Sequence, residues 1–187
     1  VELSRDIGQR FNYIYEEEFF VIPEPRIPQS GARLMGLDDP TVKMSKSLAH
    51  TRGHAVRLLD EPKEIMRSFK KAVTDSGNDI RFSDAPEKAG VNNLLSIYKA
   101  VTGKPNDEVE ADFANACGYG DLKKGVAEVV IDFLAPMQAR YKALMDDPAE
   151  LDRILAQGAE QAAAVSMPKL REMKKMMGLV LPVSSNQ

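Results

Sequence analysis

The chain has 187 residues, 43% of them hydrophobic and 28% charged, with a formal net charge of −3. That length fits one large domain or two small ones with a real core, and the negative balance excludes a global field that draws in nucleic acid, so any RNA contact has to come from local patches. A single cysteine, Cys117, excludes an internal disulfide and a multi-cysteine zinc site, while the absence of a membrane-length apolar run or a visible signal peptide makes the cytoplasm the expected compartment.

Residues 4–15 read as a helix, because Leu3, Ile7, Phe11 and Ile14 recur at helical spacing with Arg5, Asp6, Gln9 and Arg10 between them. Phe19-Phe20-Val21 is a short apolar run, either strand or extended chain. Pro23, Pro25 and Pro28 then rule out a helix. Residues 33–37 are expected to form a short strand, 38–51 a polar lysine-bearing loop and 55–59 another strand. Asp60 is expected to cap a helix that holds Glu61 and Pro62 in its first turn and runs to about residue 72. Its buried face would carry Ile65, Phe69 and Val73. Asp75-Ser76-Gly77-Asn78 is turn chemistry, and residues 80–82 make a short extended piece.

From there the composition turns helical. Helices are expected over 91–101, ending before Gly103, and over 106–117, ending at Gly118. A long helix over 121–145 carries Leu122, Val126, Val130, Leu134 and Tyr141, with a kink at Pro136. Another follows over 148–165, interrupted by Pro168 before the basic stretch 169–175. Gly178 stops the last helix, and 180–187 form a frayed tail. No internal repeat is present. The chain thus divides near Asp84 into a mixed segment, 1–84, and a helical one, 85–187.

The segment richest in chemistry is Lys43-Met44-Ser45-Lys46-Ser47, which follows Gly31-Ala32-Arg33-Leu34-Met35-Gly36-Leu37-Asp38-Asp39-Pro40-Thr41-Val42. Two flexible point charges three residues apart, interleaved with hydroxyls, suit an oligo-anion such as a nucleotide phosphate chain. Two lysines in a loop, taken alone, would only be solvated. Small residues at 31–32 let a backbone approach a nucleotide, and Arg33 can face a phosphate; the blander account is a glycine turn entering a buried strand. A P-loop is rejected, since Gly36 is followed by Leu37-Asp38 rather than Lys-Ser/Thr. Gly118-Tyr119-Gly120 lacks a third glycine and reads as a helix stop and restart. With only His50 and His54 and no cysteine cluster, no metal site is expected. Lys169, Arg171, Lys174 and Lys175 read as a solvated helix face ahead of an RNA-backbone patch.

The pentapeptide matches, letter for letter, the second ATP-handling signature of class I aminoacyl-tRNA synthetases. With Glu2-Leu3-Ser4-Arg5-Asp6, Arg10-Phe11-Asn12, Ala72-Val73-Thr74-Asp75-Ser76 and Asn92-Asn93-Leu94-Leu95-Ser96-Ile97-Tyr98, the chain resembles the bacterial tryptophanyl-tRNA synthetase family over nearly its whole length. Tyrosyl enzymes share the architecture, but Gly31-Ala32-Arg33, Asp38-Asp39-Pro40 and the 72–76 segment lean toward tryptophan. The resemblance implies a mixed α/β remnant of a Rossmann-like class I catalytic domain (1–84), followed by a mainly α-helical bundle domain on the tRNA anticodon side (85–187), mostly α overall. It implies catalytic roles for Lys43 and Lys46 on the triphosphate and the departing pyrophosphate. An ATP site would comprise Arg33, Leu34, Lys43, Met44, Ser45, Lys46 and Ser47, with Met44 on adenine. Mg²⁺ would arrive with ATP, the other partners being tryptophan and tRNA(Trp), and the family is homodimeric. Its first ATP signature, His-x-Gly-His or His-x-Gly-Asn, is absent: His50-Thr51-Arg52-Gly53-His54 has one residue too many and follows the lysine loop, a chance likeness. The chain therefore reads as the C-terminal half of such an enzyme, inactive alone. The family usually has Asp after the pentapeptide, where this chain has Leu48. The alternatives are a tyrosyl-type fragment, a non-catalytic helical tRNA-binding module and a purely structural protein.

Overall fold

The computed structural model describes residues 1–27, 31, 33–48, 50–51 and 53–180. Among them the helices are α1 (Glu2–Tyr15), α2 (Pro62–Lys70), α3 (Ala89–Thr102), α4 (Asn106–Asp112), α5 (Tyr119–Asp146) and α6 (Pro148–Met176), with a 3-10 turn at Pro86–Lys88 before α3. The protein is mostly α. The chain divides into two compact units, one of Val1–Arg26 with Ala143–Gln187, the other Ile27–Lys142. The expected tail from 181 onward lies outside the described residues.

The strands expected at 33–37 and 55–59 are not formed among the described residues, nor is one at 19–21 or 80–82; a single isolated antiparallel bridge joins Met35 to Lys43. A strand needs a neighbour along its length. The 34–37 backbone instead meets different partners one at a time: Leu34 C=O accepts from Met44, Gly36 N–H donates to Val42, Leu37 N–H to His54, and Leu37 C=O accepts from Val73. At 55–59 the chain curls, with Asp60 N–H donating to Arg57 C=O at 3.1 Å.

The Ile27–Lys142 unit owns the main core. Leu37, Ile65, Phe69, Val91, Leu94, Leu95, Val109, Leu122 and Val126 pack into one buried cluster. At about 25 cal/mol per Å² of apolar surface, this burial is what holds α2, α3, α4 and α5 together. The approach of α3 to the chain before it is unusually close: a Cβ on Gly90 would sit 2.1 Å from Val73 C=O. Val73 was expected on the buried face of α2. It lies past the helix end and is half exposed, while Ala72 is buried. Asp60 does not cap α2 either. Glu61 occupies that position without a side-chain bond, and buried Asp60 turns back, accepting from Arg57 N–H at 2.9 Å and Arg57 Nε at 2.7 Å. Gln138 on α5 fixes the same turn by donating to Leu58 and Asp60 carbonyls.

Helix α4 stops at Asp112, short of the expected 117, because Phe113 turns inward, edge-on to Tyr98 with centroids 5.0 Å apart. Pro136 lies inside an unbroken α5. Pro168 does not interrupt its helix, since α6 runs through it to Met176. The carbonyl that a proline frees one turn back, at Ala164, is on an exposed residue, where water can serve it.

In the unit of Val1–Arg26 and Ala143–Gln187, Asn12 holds the chain that leaves α1. Its Nδ2 donates to Phe20 C=O and its Oδ1 accepts from Phe20 N–H, both at 2.8 Å. Phe11, Tyr15, Phe19 and Phe20 cluster there at centroid distances of 4.5–5.3 Å. Lys169, read from sequence as part of a solvated face, places its Nζ 3.6 Å from the Phe19 ring centroid.

Candidate functional site

The lysine-bearing loop is built on a short turn. Asp39 Oδ1 accepts from Thr41 N–H at 2.9 Å and Thr41 Oγ1 at 2.6 Å, an Asx-type arrangement that reverses the chain. The hydrogen bond from the Thr41 hydroxyl, then that from its N–H, hold the Asp39 carboxyl below its ordinary range. Val42 and Met44 pair back onto Gly36 and Leu34 at 2.8 and 3.0 Å. The loop thus leaves a fixed base, and that base is pinned to α3 by Asn93. Its amide accepts from Met35 N–H at 2.9 Å and donates to Met35 C=O at 2.8 Å.

On this base Lys43, Lys46 and Arg33 are exposed, and among the described residues no ion pair engages any of the three. Ser45 and Ser47 lie with their hydroxyl oxygens 3.2 Å apart. Leu34 and Met44 are half-buried against the core cluster. Met44 thereby anchors the start of the loop to the core cluster. The arrangement brings Leu34, Met35, Lys43 and Met44 together through the paired main chain, while Ala32 falls outside the described residues. Cations without carboxylate partners, on a loop with a fixed base, are able to follow a polyphosphate.

The sequence reading passed over one residue of this site. His54 is 3% exposed, and its Nδ1 lies 2.7 Å from Asp38 Oδ1. Its Nε2 is buried with no hydrogen-bond partner among the described residues. The signal available in the sequence was an imidazole a few residues after a basic loop with Asp38 before it, but only the fold makes them neighbours.

A second polar cluster lies between the 75–79 turn, the 3-10 turn and α5. Tyr119 OH donates to Asp75 at 2.9 Å, and Lys88 Nζ donates to Tyr119 OH at 2.7 Å. Burial raises the Asp75 carboxyl, but hydrogen bonds from Gly77 N–H, Tyr119 and Lys88 outweigh it and hold the group below its ordinary range. Burial raises the Tyr119 phenol, and the bond to Tyr119 raises Lys88. Nothing here is poised for proton transfer at neutral pH; the cluster fixes the 75–79 turn on the helices.

The model of the tRNA synthetases class I (W and Y) family matches residues 1–135. Tryptophan–tRNA ligase of Caldanaerobacter subterraneus is 49% identical over 181 residues, covering 97% of this chain and 54% of its own length. That of Wolinella succinogenes is 47% identical over 180 residues, covering 96% and 53%. Among solved structures, tryptophanyl-tRNA synthetase from Mycoplasma pneumoniae superposes with a TM-score of 0.83 at 29% identity, covering 96% of this chain and 54% of that one. The Campylobacter jejuni enzyme complexed with ADP and tryptophan shares the fold at a TM-score of 0.64. The chain spans about half the length of the curated relatives it matches.

Proposed function

The chain belongs to the class I tRNA synthetases of the tryptophan and tyrosine type, and we propose that it is the C-terminal portion of a tryptophan–tRNA ligase. The observation that carries the reading is the exposed pair Lys43 and Lys46, without an ion pair among the described residues, on a loop whose base is pinned by Asn93. Identity of 44–49% to tryptophan–tRNA ligases favours tryptophan over tyrosine.

The complete protein would first activate the amino acid. A carboxylate oxygen of tryptophan attacks the α-phosphorus of ATP, the bond to the bridging oxygen breaks, and pyrophosphate leaves. Negative charge grows on that leaving group, so cations that meet it there lower the barrier rather than only tightening binding. Lys43 and Lys46 supply them, each worth about 3 kcal/mol by analogy with single oxyanion donors. Arg33, the Leu34 backbone, Met44, Ser45 and Ser47 complete the nucleotide contacts, and Mg²⁺ enters as part of the ATP substrate. The tryptophanyl group then passes from the adenylate to a terminal ribose hydroxyl of tRNA(Trp), releasing AMP.

Within this reading, residues 1–84 belong to the Rossmann-like catalytic domain, whose extended segments gain strand partners in the complete protein. Residues 85–187 form the helical anticodon-side domain. The complete enzyme is a cytoplasmic homodimer, and residues 1–187 by themselves do not turn over. No described helix is long and apolar enough to cross a membrane.

ATP–pyrophosphate exchange by the complete protein, run with tryptophan and with tyrosine, tests the proposal. Exchange with tryptophan alone supports it, and exchange with tyrosine alone moves the substrate to the sister enzyme. No exchange with either leaves a non-catalytic RNA-binding relative, to be sought by salt-dependent tRNA binding. Sustained exchange by the 187-residue chain would overturn the claim that it is inactive alone.

A further inference from the structure

His54 and Asp38 flank the lysine loop, 16 residues apart in sequence, and meet at 2.7 Å. A carboxylate only accepts, so Nδ1 donates in this contact, while Nε2 is buried without a hydrogen-bond partner among the described residues. An unpaired buried polar atom destabilises a fold, and an aliphatic side chain in its place would not incur that penalty. The main-chain N–H of His54 donates to Thr51 C=O at 3.1 Å, inside the loop, and its other bonds reach the 37–38 segment. Its carbonyl accepts from Leu37 N–H at 3.0 Å, beside the Asp38 contact. Gly36 completes the fit, because a Cβ there would lie 2.6 Å from His54 Cε1 and 2.9 Å from Asp38 Oδ1.

We propose that His54 is a positioning residue that clasps the outgoing end of the lysine loop to the incoming end through Asp38, and so sets where Lys43 and Lys46 stand. This rests on the phosphate role proposed above for those lysines. Joining the two ends removes conformers that the loop would otherwise sample. A lysine that must meet a charge developing only in the transition state gains most from such preorganisation.

The test is ATP–pyrophosphate exchange in the complete protein with Asp38→Ala, His54→Leu, His54→Asn and Lys46→Ala. Asp38 is on the exposed side of the clasp, so Asp38→Ala breaks it without opening the core and remains informative if His54→Leu fails to fold. We expect Asp38→Ala and His54→Leu each to lower kcat about tenfold while KM for tryptophan holds. His54→Asn, whose amide can still donate from the Nδ1 position, should keep most of the rate. In the Lys46→Ala background, Asp38→Ala should cost less than it does alone, because the part of its effect that acts through Lys46 is already gone and only the part through Lys43 remains. A folded Asp38→Ala protein with unchanged kcat, or an equal loss with and without Lys46, overturns the clasp. If Lys46→Ala itself costs nothing, the phosphate reading falls and takes this inference with it, an outcome distinct from loss at Lys46 without loss at Asp38.

Discussion

The side chain of Asn93, on α3, satisfies both main-chain groups of Met35, 58 residues earlier, by accepting from its N–H at 2.9 Å and donating to its C=O at 2.8 Å. It does for Met35 what a neighbouring strand would have done. Asn93 is 6% exposed, so water cannot substitute for it. Asn93→Leu should therefore destabilise the protein by about 3 kcal/mol, read from urea unfolding, because it leaves two poorly solvated backbone groups unpaired. A loss well below 1 kcal/mol would mean that the base of the loop is held by something else.

Gly90→Ala should be about as damaging, at roughly 3 kcal/mol or more, because the new methyl meets a backbone carbonyl that cannot swing aside. Helix α3 would have to lift from Val73 to admit it. Unchanged thermal stability would show that the two segments can separate freely.

The Asp75 cluster gives a pH dependence. The folded state lowers the Asp75 pKa, so its contribution is present above the ordinary carboxylate value and is lost as pH falls through the folded one. Lys88 and Tyr119 are raised, so theirs is present below their ordinary values and is lost as pH climbs through the folded ones. Stability should decline at both ends, below about pH 4 and above about pH 10. Asp75→Asn should flatten the acid limb of a Tm-versus-pH curve, and identical limbs in the two proteins would remove Asp75 as its source.

Lys46→Ala and Lys43→Ala should each lower kcat for exchange by about 100-fold in the complete protein. Neither lysine makes an ion pair among the described residues, so the melting temperature should hardly move. A fall in Tm that tracks the loss of rate would recast them as structural residues.

Breaking the Asn12 clamp tests the smaller unit. Asn12→Ala removes two hydrogen bonds to Phe20 and should cost about 1–2 kcal/mol. Near-UV circular dichroism should change as well, since Phe11, Phe19 and Phe20 lose their fixed geometry.

The helices were legible because their signal is local. Residues three and four apart share a face, and that periodicity placed α1, α2, α3 and α5 within a few residues of their observed spans, and the start but not the end of α6, which runs through Pro168 to Met176. The lysine loop was legible for the same reason, its charges and hydroxyls being packed into five consecutive positions. The strands were misread because pairing is not local: an apolar run at 33–37 states a readiness to pair, and what it meets depends on residues 42–44, 54, 73 and 93. His54 was passed over for a related reason. Its neighbours in the chain resemble a signature out of order, while its meaning lies in a carboxylate 16 residues back and a glycine with no room for a Cβ. Helices, cationic loop and family likeness could all be read from the chain alone, because each is written in adjacent or periodic residues. What holds that loop in place could not, because hydrogen bonds that span 16 and 58 residues form only once the core has brought their partners together.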